Sequence, residues 1–190
     1  KCREELGMDK EKKVLVSIGN LEKVKGHEYL IEAINLLKGK QPDIVCYIVG
    51  GGSLISPLGA QIRALNLEES VFLVGYIRHE EINKWINASH LLVLPSLSES
   101  FGIVQIEAFA SGKPVVATRT EGSKEIITSE DYGFLCNIGD PKDMSIKIDA
   151  VFNKKWNTDK LIRYSDKFSQ ETMNKRLLNL YIDLLKQNND

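Results

Sequence analysis

Short apolar segments alternate with helix-like segments along most of this chain, and this alternation constrains the fold more than any other feature. Continuous apolar runs of this kind are typical of strands that are covered on both faces. Six of them are found: Val14 to Ile18, Ile44 to Val49, Val71 to Val74, Leu91 to Leu94, Val115 to Ala117 and Phe134 to Cys136. Helices between the strands act as crossovers, so the strands run parallel. The sequence therefore predicts a doubly wound, Rossmann-like α/β domain.

The segments between the strands carry apolar residues at the three- and four-residue spacing of amphipathic helices. Predicted helices run from about Gly26 to Leu37, Leu54 to Leu65, Glu80 to Ala88 and Gly102 to Ala110, and the chain is helical from Pro141 onward. The last helix, at about residues 169–188, has an apolar stripe formed by Leu177, Leu178, Leu180, Tyr181, Leu184 and Leu185. The stripe predicts that this helix covers another surface.

The segment from Pro95 to Gly112 contains two glutamates, Glu99 and Glu107, with seven residues between them. It leads from a predicted strand through a loop into the helix that begins at Gly102. The first N–H groups of a helix lack partners within the helix and carry partial positive charge, which favours a bound phosphate. The segment therefore predicts an anion site at the carboxyl edge of the sheet, where ligands of doubly wound domains bind.

Glu107 stands on an almost wholly apolar helix. Its neighbours at helical spacing are Ile103, Val104 and Ala110. A glutamate in such surroundings needs a partner, and a ribose diol about 7.5 Å from the helix start would supply one. The alternative is that Glu107 turns to solvent or pairs with a lysine.

Lys25 ends the loop after the first strand and precedes Gly26 at the start of a helix. From there its ammonium group could reach a diphosphate held at Gly102. Lys23 is a poorer candidate. The competing interpretation, that both are exposed loop lysines, stays open.

Composition excludes several classes of function. The net charge of −1 gives no electrostatic support for nucleic-acid binding, and no apolar run is long enough to span a membrane. Three widely separated cysteines indicate neither a disulfide framework nor a zinc ribbon. No dinucleotide fingerprint, P-loop, nucleophile elbow or Asp-x-Asp triplet occurs, and the three histidines lack metal-ligand spacing. We therefore expect no metal and no cofactor.

A series of motifs in a fixed order resembles one known family. The motifs are Gly19-x-Leu21 with Lys25-Gly26, Leu30 to Ala33, Val49 to Gly52, Gly75-Tyr76, Leu94 to Ser96, Glu99-x-Phe101-Gly102 with Glu107, Ala110 to Ala117, and Gly133 to Leu135. Together they are similar to the C-terminal half of a retaining GT-B glycosyltransferase of family 4, also called glycosyltransferase group 1. The resemblance covers nearly the whole chain, from Val14 to the final helix.

The resemblance implies a role for each matching residue. Glu99 faces the sugar ring of a nucleotide-sugar donor, and Lys25 binds its diphosphate; these two are the catalytic candidates. Glu107 holds the ribose hydroxyls, while Tyr76, Ile77 and Arg78 bind the base. The complete set of donor-binding candidates is Asn20, Gly51, Gly52, Tyr76, Ile77, Arg78, Ser100, Phe101, Gly102, Ile103 and Glu107.

One of these positions departs from the family pattern. Asn20 stands where the family usually has an arginine that shares the diphosphate with the lysine. The substitution removes a charge-assisted contact to the donor. The glycine-rich turn before Glu125 also differs, with Glu121-Gly122 where two glycines are common.

The resemblance implies transfer of a sugar from a nucleotide-diphosphate donor to an acceptor, with retention at the anomeric carbon. The expected domain is a single donor-binding unit, residues 1–190, whose last helix packs against a missing N-terminal half. That half would supply the site for a sugar, lipid or other acceptor, so the chain alone is expected to be inactive. The expected location is the cytoplasm, with any membrane association made through the missing half. Two alternatives remain: a non-catalytic nucleotide-sugar-binding module, and another GT-B enzyme such as an epimerase or phosphorylase.

Overall fold

The computed structural model describes residues 1–187 and contains one six-stranded sheet covered by helices. The strands are β1 (Lys13–Ile18), β2 (Ile44–Val49), β3 (Val71–Gly75), β4 (Leu91–Leu94), β5 (Val115–Thr118) and β6 (Gly133–Cys136). The helices are α1 (Cys2–Glu5), α2 (His27–Lys38), α3 (Ile55–Ala64), α4 (His79–Ala88), α5 (Ile103–Ala110), α6 (Glu121–Ile126), α7 (Pro141–Phe152), α8 (Thr158–Ser165) and α9 (Gln170–Gln187). Single 3₁₀ turns lie at Lys23–Lys25 and Asp166–Phe168.

The strand order, β3-β2-β1-β4-β5-β6, determines where a ligand can bind. All neighbouring strands pair in parallel. The chain first builds the sheet outward from β1 to β3 and then returns to place β4 on the other side of β1. The helices that follow β1 and β4, α2 and α5, consequently lie on opposite faces of the sheet, and a crevice lies between their N-terminal ends at the carboxyl edge, which is the topological switch point of this fold class.

Alternate residues of the strands enter two separate cores, one on each face of the sheet. On β1, Leu15 belongs to the core under α2, α3 and α7, and Val16 belongs to the core under α4, α5, α6 and α8. Both residues are at most 1% exposed. This burial on both sides explains why the strands are continuously apolar.

The predicted strands and the four predicted helices before Pro141 are found with their ends within one residue of the predicted positions. The sequence reading missed α1 and α6. Both have six residues or fewer, too short to show helical periodicity, and α6 also contains Gly122. The start of α6 is fixed instead by a capping contact, in which the Thr120 hydroxyl accepts a hydrogen bond from the Ser123 N–H at 3.3 Å.

The predicted C-terminal helix is present as α9, and its side chains from residue 173 to 186 are exposed. Exposed members of its apolar stripe include Leu177, Leu184 and Tyr181. The predicted last residue of this helix, 188, lies outside the described residues. Within residues 1–187, no helix has the combination of length and hydrophobicity required to cross a bilayer.

Candidate functional site

The loops after β1 and β4 meet above the crevice at the switch point. The Leu97 N–H donates to the Val24 carbonyl at 2.8 Å, which joins the two loops directly. A Cβ atom added at Gly26 would lie 2.2 Å from the Pro95 carbonyl oxygen, so only glycine allows this approach. Gly26 also has φ +62°, in the left-handed region that glycine adopts without strain. These contacts bring Lys25 and Glu99 to the same place.

Lys25 and Glu99, the two catalytic candidates, form an ion pair in which Lys25 Nζ donates to Glu99 Oε2 at 2.7 Å. Their side chains are 26% and 13% exposed, respectively. Ser96 Oγ donates weakly to the same carboxylate oxygen at 3.4 Å. Oε2 therefore has two donors, whereas no side chain or backbone group among residues 1–187 forms a hydrogen bond with Oε1, which can accept one from a ligand.

Gly102 caps the start of α5 beside this ion pair. It has φ +81° and ψ +63°, and an added Cβ would lie 2.5 Å from Gln105 Nε2 and 3.2 Å from Glu99 Cγ. No side chain caps this helix end. The N–H groups of its first turn therefore point, with their partial positive charge, toward the crevice that contains Lys25.

The loop that carries Glu99 is supported from below by α6, a helix that the sequence did not reveal. The Gly122 N–H donates to the Glu99 carbonyl at 3.2 Å. An added Cβ at Gly122 would lie 2.6 Å from the Phe101 nitrogen. Glycine is thus required for α6 to approach the loop, and the family's glycine-rich turn was the available signal. Of the other predicted residues here, Ser100 and Ile103 are exposed, and Phe101 packs edge-on against Phe168.

A second group of predicted residues lies across the loops after β1, β2 and β3. The Leu21 N–H donates to the Gly51 carbonyl at 2.9 Å, and Ser53 donates two hydrogen bonds to the Glu22 carboxylate. Gly51 also faces Tyr76, because a Cβ atom added at Gly51 would lie 3.5 Å from the Cβ of Tyr76. Asn20, Gly51, Gly52 and Tyr76 are thereby gathered in adjoining loops. The hydrogen bonds from Ser53 also lower the pKa of Glu22, which keeps this link charged.

Arg78 and Ile77, the other two residues predicted to bind the base, point in different directions. Arg78 is largely exposed, and its Nε lies 3.8 Å from Glu81. Ile77 packs partly against the core under α4 and α5. The side chain of Tyr76 is the most exposed large apolar group here, at 80%, so it presents a free ring surface at this edge.

Glu107 is half-buried, although the helix that carries it is almost wholly apolar. Its side chain is 29% exposed because α4 does not close over it, and its Oε1 lies 3.8 Å from His79 Nε2. Both residues line a cavity of about 330 Å³ between α4 and α5. Glu107 therefore opens onto a space that a ligand could enter. His79 was not among the predicted site residues, because its position beside Glu107 depends on how α4 packs against α5.

Within the part of the chain that the structure describes, no group of three or more histidine, cysteine or acidic side chains could hold a metal ion. At the crevice, Lys25 supplies a cationic side chain that is 26% exposed. Its position beside the N-terminus of α5 makes the site chemically suited to a diphosphate.

Comparison with known proteins identifies the family. The model of the family described as "Glycosyl transferases group 1" matches residues 1–168. The chain belongs to the group 1 glycosyl transferases.

Two relatives illustrate the similarity of this group 1 glycosyl transferase chain to characterised proteins. An N-acetyl-alpha-D-glucosaminyl L-malate synthase of Bacillus anthracis is 31% identical over 138 residues, which covers 73% of the chain and 35% of the relative. A D-inositol 3-phosphate glycosyltransferase of Arthrobacter sp. is 31% identical over 157 residues, which covers 80% and 37%. The chain thus spans less than half of the length of these curated relatives.

A solved structure shows the same fold. HepE of Anabaena, determined in complex with UDP, is 26% identical and has a TM-score of 0.83, covering 95% of this chain and 51% of its own. The predicted fold class, a Rossmann-like α/β domain of the GT-B glycosyltransferase type, is confirmed. The predicted roles of individual site residues stay predictions.

Proposed function

We propose that this chain is the donor-binding domain of a retaining glycosyltransferase that uses a uridine-diphosphate sugar. The observation that carries the proposal is the Lys25–Glu99 pair beside the open N-terminus of α5. UDP is the nucleotide in the HepE complex, and a second HepE structure contains UDP and glucose. Those ligands belong to HepE; their transfer to this chain rests on the residues described next.

The diphosphate occupies the crevice between Lys25 and the first turn of α5. Lys25 supplies a full positive charge, and the α5 N–H groups supply partial charges that need no rearrangement during reaction. Both stabilise the diphosphate most strongly as it leaves the sugar and gains charge. This role requires neither a metal ion nor a covalent enzyme intermediate.

The nucleoside extends from the diphosphate toward α4. Glu107 is the fifth residue of α5, about 7.5 Å along the helix axis from its N-cap Gly102, which suits the distance from a diphosphate to its ribose. Its carboxylate accepts hydrogen bonds from the ribose diol at the mouth of the cavity. The base lies against Tyr76 and the backbone of Ile77 and Arg78.

The sugar lies over Glu99, whose Oε1 accepts a hydroxyl hydrogen bond while Oε2 stays with Lys25. Glu99 positions the sugar and is not a nucleophile, because two-carboxylate hydrolysis places its acids on both sides of the scissile bond. In this chain the second carboxylate, Glu107, lies more than one helical turn past the N-cap of α5, at the ribose. We propose retention of configuration, with the acceptor site supplied by a separate N-terminal half. The chain alone then binds donor and transfers no sugar.

Calorimetric titration of the 190-residue chain with UDP, GDP and ADP in metal-free buffer tests this function. We expect UDP to bind, and Glu107→Ala to weaken it roughly tenfold or more, because two hydrogen bonds to a carboxylate are lost. Glu171→Ala is the matched control, since this glutamate is 78% exposed on α9, pairs with Lys175 at the surface and should leave the affinity unchanged.

The possible outcomes separate the proposals. Binding of GDP or ADP in preference to UDP would support the assignment of a donor site but would change the nucleotide base that we assign to it. No binding of any nucleotide would contradict the donor-domain assignment. Equal binding by Glu107→Ala and the parent would contradict the ribose assignment alone. Consumption of UDP-glucose without an added acceptor would instead favour an epimerase or phosphorylase.

A further inference from the structure

Gln105 is a polar residue that lies fully buried in the first turn of α5, beside the candidate diphosphate site. It is the third residue of the helix and is 0% exposed. The other buried residues of α5, Ala108 and Phe109, are apolar and belong to the core under α4, α5, α6 and α8. An amide group in such a place has lost its hydration, so its hydrogen bonds decide whether it stabilises the fold.

The nitrogen and the oxygen of the Gln105 amide have different surroundings. Nε2 donates a hydrogen bond to the carbonyl oxygen of Phe101 at 3.2 Å, whereas Oε1 is buried and has no hydrogen-bond partner among residues 1–187. Rotating the amide by half a turn would place two oxygens against each other, so the Phe101 carbonyl fixes which end is the donor. A buried acceptor without a donor lowers stability, and an apolar side chain of similar length would avoid this cost.

The hydrogen bond from Gln105 determines how the peptide between Phe101 and Gly102 is oriented. In a trans peptide the N–H points away from the C=O, so the Gly102 N–H lies on the side opposite to the buried amide. The N–H groups of Gly102, Ile103 and Val104 form no hydrogen bond with any group in the described part of the chain. Three backbone donors at the start of α5 are thus available to a ligand.

We propose that Gln105 is a positioning residue of the donor site, whose amide holds the Phe101 carbonyl inside the domain so that the Gly102 N–H faces the diphosphate of a bound nucleotide. The inference rests on the proposed function. Glycine at position 102 is part of the same arrangement, because a Cβ atom added there would lie 2.5 Å from Gln105 Nε2. The amide thus occupies the space that a side chain at position 102 would need, and it keeps the start of α5 in one conformation before a ligand binds.

A positioning role predicts that stability and UDP binding respond differently to one substitution. Gln105→Met keeps the approximate length of the side chain but has neither the amide donor nor the unpaired oxygen. The released Phe101 carbonyl can turn to water, because Phe101 is 37% exposed. We expect Gln105→Met to melt at or above the temperature of the parent and to raise the Kd for UDP roughly threefold to tenfold, because one backbone donor is no longer held in place. Thermal melting and calorimetric titration with UDP measure the two effects.

Gln61→Met is the matched control for this substitution. Gln61 makes the same kind of hydrogen bond, from Nε2 to the Glu28 carbonyl at 3.0 Å, but it lies on α3, which covers the opposite face of the sheet. Its affinity for UDP should be unchanged. A ¹⁵N-correlation spectrum gives a second readout: UDP should shift the Gly102 amide resonance of the parent and shift it less in Gln105→Met. If the Met variant does not fold, Gln105→Leu, which also lacks a donor, replaces it.

Three outcomes would contradict the role of Gln105 while leaving the proposed function intact. In the first, Gln105→Met binds UDP as tightly as the parent, with the same shift of the Gly102 resonance. In the second, its affinity and its melting temperature fall together, which would make Gln105 a packing residue. In the third, UDP binds the parent without moving the Gly102 resonance. If the parent binds none of UDP, GDP and ADP, the proposed function fails first, and the inference fails with it.

Discussion

Lys25 and Glu99 neutralise one another across the crevice, and this pairing has a consequence for ligand binding. A diphosphate competes with Glu99 for the Lys25 ammonium group and is repelled by the carboxylate. We therefore expect Glu99→Gln to lower the Kd for UDP about twofold to fivefold. This change corresponds to the free energy of a partly exposed ion pair. Titration with UDP measures this change.

The same variant should lose whatever additional affinity UDP-glucose has over UDP, because Glu99 is the proposed sugar contact. Glu121→Gln serves as the control, since Glu121 is 88% exposed and pairs with Lys124 at the surface. Weaker UDP binding by Glu99→Gln would indicate that the carboxylate holds Lys25 in position for the diphosphate instead of competing for it.

His27 also makes stability depend on pH. The pKa of His27 is about 4 in the folded chain, compared with the usual value of 6.5 that applies to the unfolded chain. Between these two pH values the unfolded chain therefore binds more protons than the folded chain. Stability is therefore lost as the pH falls from about 6.5 to 4, by on the order of 3 kcal/mol for this residue. Urea unfolding at several pH values measures the loss, and His27→Gln should remove most of it.

His90 contributes to the same pH range and must be separated from His27. Burial and the nearby Arg3 lower its pKa to about 4 as well. Its contribution is smaller because part of the ring is exposed, and it persists in His27→Gln. His79→Gln, with a side chain 78% exposed, is the control and should leave the parent pH dependence intact. An unaltered profile in His27→Gln would contradict the assignment to His27.

At the scale of an element, α5 depends on the left-handed conformation of Gly102. An alanine there costs about 1–2 kcal/mol in backbone strain alone, and its Cβ would in addition lie 2.5 Å from Gln105 Nε2. Gly102→Ala should therefore lower the melting temperature and weaken UDP binding together, because the first N–H groups of α5 are displaced. Thermal melting and titration measure the two effects.

Gly39→Ala provides a matched glycine control for this experiment. Gly39 follows α2 with φ −68°, and an added Cβ would meet nothing within 4 Å. Its stability should be unchanged or slightly raised. A Gly102→Ala chain that melts and binds like the parent would mean that the end of α5 does not hold the ligand.

α9 differs from α5, because most of its apolar side chains are not packed against other parts of residues 1–187. Its stripe is exposed, with Leu177 at 48% and Leu178 at 59%. The prediction that it packs against an N-terminal half remains a prediction. An exposed apolar stripe of this kind favours association between copies of the chain through α9.

At the scale of the whole molecule, we expect the sheet and its two cores to be stable without α9. A chain that ends at Ser169 keeps Phe168, which packs edge-on against Phe101 and Tyr164. It should melt within a few degrees of the parent, bind UDP equally and self-associate less, as measured by calorimetry and sedimentation. Loss of cooperative melting on truncation would show that α9 is part of the fold's stability.

Local residue patterns were enough to predict the sheet and the start of α5, where an anion site is proposed. Strands buried on both faces must be continuously apolar, and Gly102 marks a helix start after the strand Leu91–Leu94. These features depend on the spacing of residues along the chain, so they can be recognised in the sequence. The loops after β1 and β4 could also be placed at one edge of the sheet, because the strands are parallel, but the strand order that makes these loops neighbours could not.

How the candidate site is held together, and how exposed its residues are, could be seen only in the three-dimensional structure. The Lys25–Glu99 contact joins residues 74 positions apart, Gly122 reaches the Glu99 carbonyl from a helix too short to show periodicity, and His27 lies buried under a turn. Whether Glu107 is covered depended on where α4 packs, and α4 leaves it open. Contacts and solvent exposure of this kind arise from the close packing of segments distant in the chain, which no local pattern of residues records.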